Sequence, residues 1–176
     1  PSGVLVFVMR SDDGTSTDAI SGVTYGGTAM TAVTGGLAQD SSGEQGLCKA
    51  YFLGSSVPTG AQTVQVTTTD GSYYAGAITV TSVGNTETTG VVLLQGDGTL
   101  SEQSVDDGSP GAPSVRYAAG HTGLNTPPVV GANSTSLYSA DVGLTGVVIC
   151  RETTAGQGAR SVGFSSATTD DRAFVH

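Results

Sequence analysis

Gly22 to Val33 reads Gly-Val-Thr-Tyr-Gly-Gly-Thr-Ala-Met-Thr-Ala-Val, and no other segment constrains the fold as tightly. Val23 and Tyr25 before the glycine pair, and Thr28, Met30 and Ala32 after it, alternate with the period of two that keeps one set of side chains on one sheet face. Gly26-Gly27 permits positive φ or a bulge, so the segment reads as strand, glycine hinge, strand, with the hinge bending the ribbon. A strand bent in this way suits a sandwich or a barrel.

The composition agrees. Glycine occurs 27 times in 176 residues, and Thr and Ser stand where Leu, Lys and Glu are usual, which disfavours helix and favours short strands with tight turns. The length fits a single domain, 1–176, large enough to bury about 68–70% of the surface of the unfolded chain. Charged residues make up 12% of the chain, about half the usual share, so hydroxyls, amides and glycine backbone must cover much of the surface. Such a surface suits close packing against neighbouring protein.

Six basic residues against fifteen acidic ones give a net charge of −9, and Lys49 is the sole lysine. Arg10, Arg116, Arg151, Arg160 and Arg172 are widely spaced, so no basic stripe for nucleic acid is expected. No apolar run approaches the roughly 18–20 residues of a membrane helix, and no secretory signal pattern is present. Pro1-Ser2 fits either the loss of an initiator Met or the edge of a processed chain. Arg172 to His176 reads as the opening of a strand, so the native chain is expected to continue.

Along the chain, Gly3 to Arg10 is an apolar first strand, Ser11 to Asp18 a polar turn, and Ile20 restarts the β pattern. Gly35 to Gly43 reads as a loop, Cys48 to Leu53 as part of a strand, and Gly54 to Gly60 as a turn. Thr63 to Thr69 alternates, Asp70-Gly71 signals a turn, and Tyr73 to Val83 follows as the expected antiparallel neighbour. Residues 85–113 form an excursion rich in Gly, Ser and Asp, with short β candidates at Val91 to Leu94 and Thr99 to Val105. Ser114 to Ala119 is a further strand candidate, Thr126-Pro127-Pro128 interrupts pairing, Gly143 to Arg151 looks like a central core strand, and Ala159 to Ser166 alternates again. The expected fold is all-β: an antiparallel β-sandwich of jelly-roll or immunoglobulin-like topology with about eight to ten strands and little or no helix.

Chemistry is sparse. Asp12-Asp13-Gly14, Asp106-Asp107-Gly108 and Asp170-Asp171 are the acidic clusters that bear on Ca²⁺, but none has the EF-hand spacing, and Asp beside Gly is ordinary turn chemistry. His121 and His176 are the only histidines. His121, in Gly-His-Thr-Gly, reads as a surface loop residue, without a nucleophile motif beside it. Gly96-Asp97-Gly98 and Gly156-Gln157-Gly158 lack the remaining glycines and the lysine of a phosphate loop and read as turns. Cys48 and Cys150 lie in predicted strands and read as buried free thiols. Tyr25, Tyr51 and Tyr73 fit the core or its rim, whereas Tyr74, Tyr117 and Tyr138 are the candidates for exposure. Asn133-Ser134-Thr135 matches the glycosylation triplet, a chance event in a Ser/Thr-rich chain. No catalytic, cofactor-binding or metal-ligating residue is assigned, and enzymatic activity is not expected.

Val4 to Val8, Val23 to Thr31, Ala50 to Leu53 and Pro58 to Val66, in that order, resemble a β-sandwich domain widespread in proteins of tailed phages and environmental viruses. Val147-Val148-Ile149 and Ser161 to Phe164 supply the closing strands of the same pattern. The resemblance implies a virion component, either a capsid decoration (cement) protein or a fibre module, and brings no catalytic residues with it. The partners it implies are the major capsid protein and copies of the chain itself, with a homotrimer on a local threefold axis as the expected form by analogy. The location implied is the capsid surface, after synthesis in the host cytoplasm. The alternative is an adhesin or glycan-binding module of a tail fibre or bacterial surface protein.

Overall fold

The computed structural model describes residues 3–12, 18–40, 45–54, 56–69, 75–83, 93–95, 101–106, 114–123, 126–142, 145–164 and 172–176. Fourteen strands and no helix run through these residues, and every pairing is antiparallel. The protein is a stack of β-sheets.

The organising strand is β1 (Gly3–Asp12), whose Val-Leu-Val-Phe-Val-Met run is apolar at every position. Alternation sends neighbouring side chains to opposite faces, so such a strand must be covered on both sides. The order of the strands in the chain is β2 (Ile20–Tyr25), β3 (Thr28–Ala29), β4 (Thr31–Gln39), β5 (Gln45–Leu53), β6 (Val64–Thr68) and β7 (Ala75–Val83). β8 (Leu93–Gln95), β9 (Glu102–Val105), β10 (Tyr117–Thr122), β11 (Ser134–Val142), β12 (Thr145–Glu152), β13 (Arg160–Gly163) and β14 (Arg172–Val175) follow. β1 lies inside a four-stranded sheet of order β4-β5-β1-β7, with Val6 in register with Tyr51 on one side and Val80 on the other.

Leu5, Phe7, Met9, Cys48 and Ala50 on one face of that sheet pack against Ala119, Val147, Ile149, Ala173 and Val175 of a five-stranded sheet, β11-β12-β10-β14-β8. On the other face, Val4, Val6, Val8, Leu47 and Tyr51 meet Ile20 and Val23 of a three-stranded sheet, β3-β2-β6. The five-stranded sheet is likewise covered twice, because Ala118, Val148, Cys150 and Phe174 pack against Val105, Val162 and Phe164 around the pair β13-β9. The two central sheets therefore separate three apolar cores. Each large apolar side chain buried this way contributes about 1.5–3 kcal/mol, which is why both covers are needed.

Several local features depart from the sequence reading. Gly26 and Gly27 have φ of 56° and 80°, and Tyr25 pairs with Thr28 across them. Two consecutive positive φ values make the two-residue reversal of a tight hairpin, so the glycine pair turns the ribbon back on itself rather than bending it. The loop expected from Gly35 is instead strand to Gln39, with Gly35 at φ 74° inside an irregularity in register between Ala32 and Leu37. β6 and β7 are not neighbours: β6 pairs with β2 and β7 with β1, in different layers. Most of the 85–113 excursion lies outside the described residues, as do Asp70-Gly71, Tyr73 and Tyr74.

β10 passes β14 so closely that a Cβ on Gly120 would lie 2.3 Å from the Ala173 carbonyl oxygen and 2.4 Å from the Phe174 ring. The backbone oxygen has nowhere to go. Gly120→Ala is expected to destabilise the fold by on the order of 2 kcal/mol, read as a lower urea midpoint with an unchanged slope.

Candidate functional site

The sequence expectation for His121, a surface loop, is corrected by β10. Pairing with β12 and β14 holds residues 117–122 extended, and the ring enters the gap between the two central sheets. It occupies the space left by Gly46 of β5, where a Cβ would come within 2.1 Å of His121 Cε1. The residue is 1% exposed, and neither ring nitrogen has a hydrogen-bond partner among the described residues. Desolvation lowers its pKa from 6.5 to about 4, against the opposing pull of the Asp40 carboxylate. Asp40 is itself buried, donates its N–H to the Gly46 carbonyl at 2.8 Å, and accepts from the Arg172 backbone N–H at 3.2 Å.

The folded-state pKa of His121 lies below its unfolded value, so the neutral ring favours the fold above pH 6.5. As pH falls from 6.5 to about 4 the unfolded chain takes up the proton first and stability is lost, levelling off below pH 4. The full loss is 1.36 × (6.5 − 4), about 3 kcal/mol. Urea unfolding of the wild type and of His121→Leu at pH 7 and pH 4 is expected to show a smaller difference between the two pH values in the variant.

A second buried constellation joins β12 to the outer pair β13-β9. Glu152 Oε2 accepts from Arg116 Nη1 at 3.1 Å, and its Oε1 accepts from Arg160 Nε. Arg116 also donates to the carbonyls of Val105 and Gly156, each at 3.1 Å, and to that of Gly158. Gly156-Gln157-Gly158 thus turns carbonyl oxygens toward a cation, the reverse of the N–H cradle that holds a phosphate. Two of the five dispersed arginines converge here, and a buried carboxylate opposes their charge. Glu152→Ala leaves Arg116 uncompensated inside the fold and is expected to cost about 3–5 kcal/mol in chemical denaturation.

Cys48 and Cys150 are buried free thiols in different cores, as their strand positions suggested. Cys48 Sγ donates to the Ala119 carbonyl at 3.3 Å, and Cys150 Sγ to that of Gly163 at 3.6 Å. Burial pushes Cys48 well above the ordinary thiol value and Cys150 up to about 12, which suppresses the nucleophilic thiolate. Lys49 Nζ reaches Asp18 Oδ2 at 2.5 Å and lies 5.4 Å from the centre of the Tyr51 ring. Burial works against the ammonium, but Asp18 and Tyr51 outweigh it and hold the pKa above the ordinary lysine value.

The Asn133 amide of the glycosylation triplet donates to Glu102 Oε2 at 2.7 Å, while its backbone N–H and the Ser134 hydroxyl donate to Oε1. Of the acidic clusters, Asp106 is exposed. Asp13-Gly14, Asp107-Gly108, Asp170-Asp171 and Gly96-Asp97-Gly98 lie outside the described residues. Among the described residues no group of three or more His, Cys, Asp or Glu side chains is placed to hold a metal ion.

The outward-facing feature of the fold is β11, a nine-residue strand that the sequence reading passed over. It ends the five-stranded sheet, and Thr135 to Ser139 are all exposed although they belong to a strand. Register with β12 slips between Ser136 and Tyr138, leaving Leu137 without a partner there. Val129, Leu137 and Tyr138 are the large apolar side chains exposed among the described residues, at 64%, 44% and 42%. The Thr, Tyr and Val of β11 were the available signal, since each favours strand. No family model, curated protein or solved structure matches the chain.

Proposed function

We propose that the chain is a structural virion protein, a capsid decoration or cement protein that binds and stabilises the shell of a phage head. The observation that carries this reading is how the side chains divide. Among the described residues His121, Cys48, Cys150 and Glu152 are enclosed in the layers, while the exposed run of β11 is uncharged and rich in hydroxyls. A fold built this way is suited to lying against other protein. The net charge of −9, and the engagement of Arg116 and Arg160 by Glu152, favour a protein partner over a nucleic acid. On this reading the partners are the major capsid protein and further copies of the chain, and its place is the outer surface of the virion.

A second reading, an adhesin or glycan-binding module of a tail fibre or bacterial surface protein, rests on Tyr138. Its exposed ring stands between Leu137 and Ser139, where it could stack on a sugar. Tyr51 is buried, and Tyr25 and Tyr117 belong to other strands, so among the described residues a platform would rest on that one ring.

Electron cryomicroscopy of the native particle separates the two. Ordered copies at symmetry positions of the shell, together with a higher rupture temperature when purified protein is added to bare shells, are the expected result. Copies confined to a fibre or cell surface, with glycan binding that Tyr138→Ala abolishes, would overturn the decoration reading in favour of the second.

A further inference from the structure

The edges of the sheets differ in what they leave open. β3 and β8 span two and three residues, β6, β9 and β13 five or fewer, and β4 is broken by its irregular register, with the Gln39 N–H already donating to Gln95 Oε1 at 3.2 Å; the other nine-residue edge, β7, lies in the four-stranded sheet. β11 is nine residues long, and among the described residues only β12 pairs with it. It carries neither of the residues, Lys and Pro, that commonly guard an edge against pairing. We infer that β11 is a self-association surface: it pairs antiparallel with β11 of a second copy of this chain across a twofold axis, joining two five-stranded sheets into one continuous sheet.

Main-chain chemistry makes this contact self-complementary. The outer N–H and C=O groups of an antiparallel strand are satisfied by an identical strand running the other way, so both copies gain the same bonds. Charge permits the same contact. Copies of a chain with net charge −9 repel over much of their surface, but Thr135 to Ser139 carry no charge, and Asp141 is the only ionised side chain of the strand.

Along β12, Arg151 stands in register with Thr135 at one end of β11, whereas Asp141 stands opposite Gly146 at the other end. Antiparallel pairing centred on Leu137 and Tyr138 therefore brings the Asp141 end of each strand to the Arg151 end of its partner and keeps the two Asp141 carboxylates apart. Arg151 is exposed and free to reach across the small Thr135 side chain. The same centring places the exposed Leu137 and Tyr138 of both copies together, where they shield one another from water.

This contact goes beyond the decoration reading, since it would serve a shell protein and an adhesin alike. It also replaces the threefold expected by analogy with a twofold. Sedimentation equilibrium on the purified chain is expected to show a dimer of the 17.4 kDa protein, and Leu137→Lys to weaken it by roughly tenfold or more while leaving the circular dichroism spectrum unchanged. Leu137→Cys, oxidised with copper-phenanthroline in air, is expected to give a disulfide-linked dimer, the native thiols being buried. Gln65→Cys, exposed in the three-stranded layer and away from β11, is expected to form no disulfide-linked dimer under the same conditions. A wild type that remains monomeric to about 100 micromolar, or an oligomer unaffected by Leu137→Lys, would overturn the inference. Equal crosslinking of both cysteine variants would overturn it as well.

Discussion

Everything in this fold follows from the need to cover β1 twice. A strand with no polar position between Val4 and Met9 cannot present either face to water, so the four-stranded sheet that contains it needs apolar sheets above and below. The five-stranded sheet that covers one face inherits the same difficulty, because β12 is also apolar on both sides along Val147 to Cys150. The small β13-β9 pair resolves it. Four thin layers, rather than two thick ones, are the outcome.

Thin layers leave little room for large side chains where three sheets must stack, and the residues chosen reflect this. Ala118, Ala119, Gly120 and Ala173 line the middle of the five-stranded sheet, with Phe164 and Phe174 filling the outer core at a ring separation of 4.7 Å. Polar groups caught between layers are used for joining them. Glu152 ties a central strand to the outer pair through two arginines, and Asp40 ties the edge of one central sheet to the first residue of β14 in the other. Glu152, Arg116, Arg160 and Asp40 are thus occupied in holding sheets together.

The sequence made the central strands legible and the layering obscure. β1 and β12 could be read because continuous apolar runs survive whatever pairs with them, and Cys48 and Cys150 were readable as core thiols for the same reason. The outer sheets were not, since β6 is brought to the β2-β3 hairpin, and β9 to β13, from distant segments by the demand for cover and not by any local signal. His121 was misread because Gly-His-Thr-Gly has the composition of a turn, yet its glycine is there for the close passage of β14. β11 escaped because alternation appears only when one face of a strand is buried, and its middle residues are exposed on both faces. The Glu152 constellation joins residues 36 and 8 positions away from it, a convergence that no spacing rule anticipates.

Lys49 has a bearing of another kind. It is the only lysine of the chain, and the fold holds its amine against Asp18 and over Tyr51, with the side chain 14% exposed. The protein thus offers the outside world no loosely held side-chain amine. Reagents that label or fix proteins through lysine would find almost nothing to grip, and the same reticence extends to cellular enzymes that mark proteins by acylating that group.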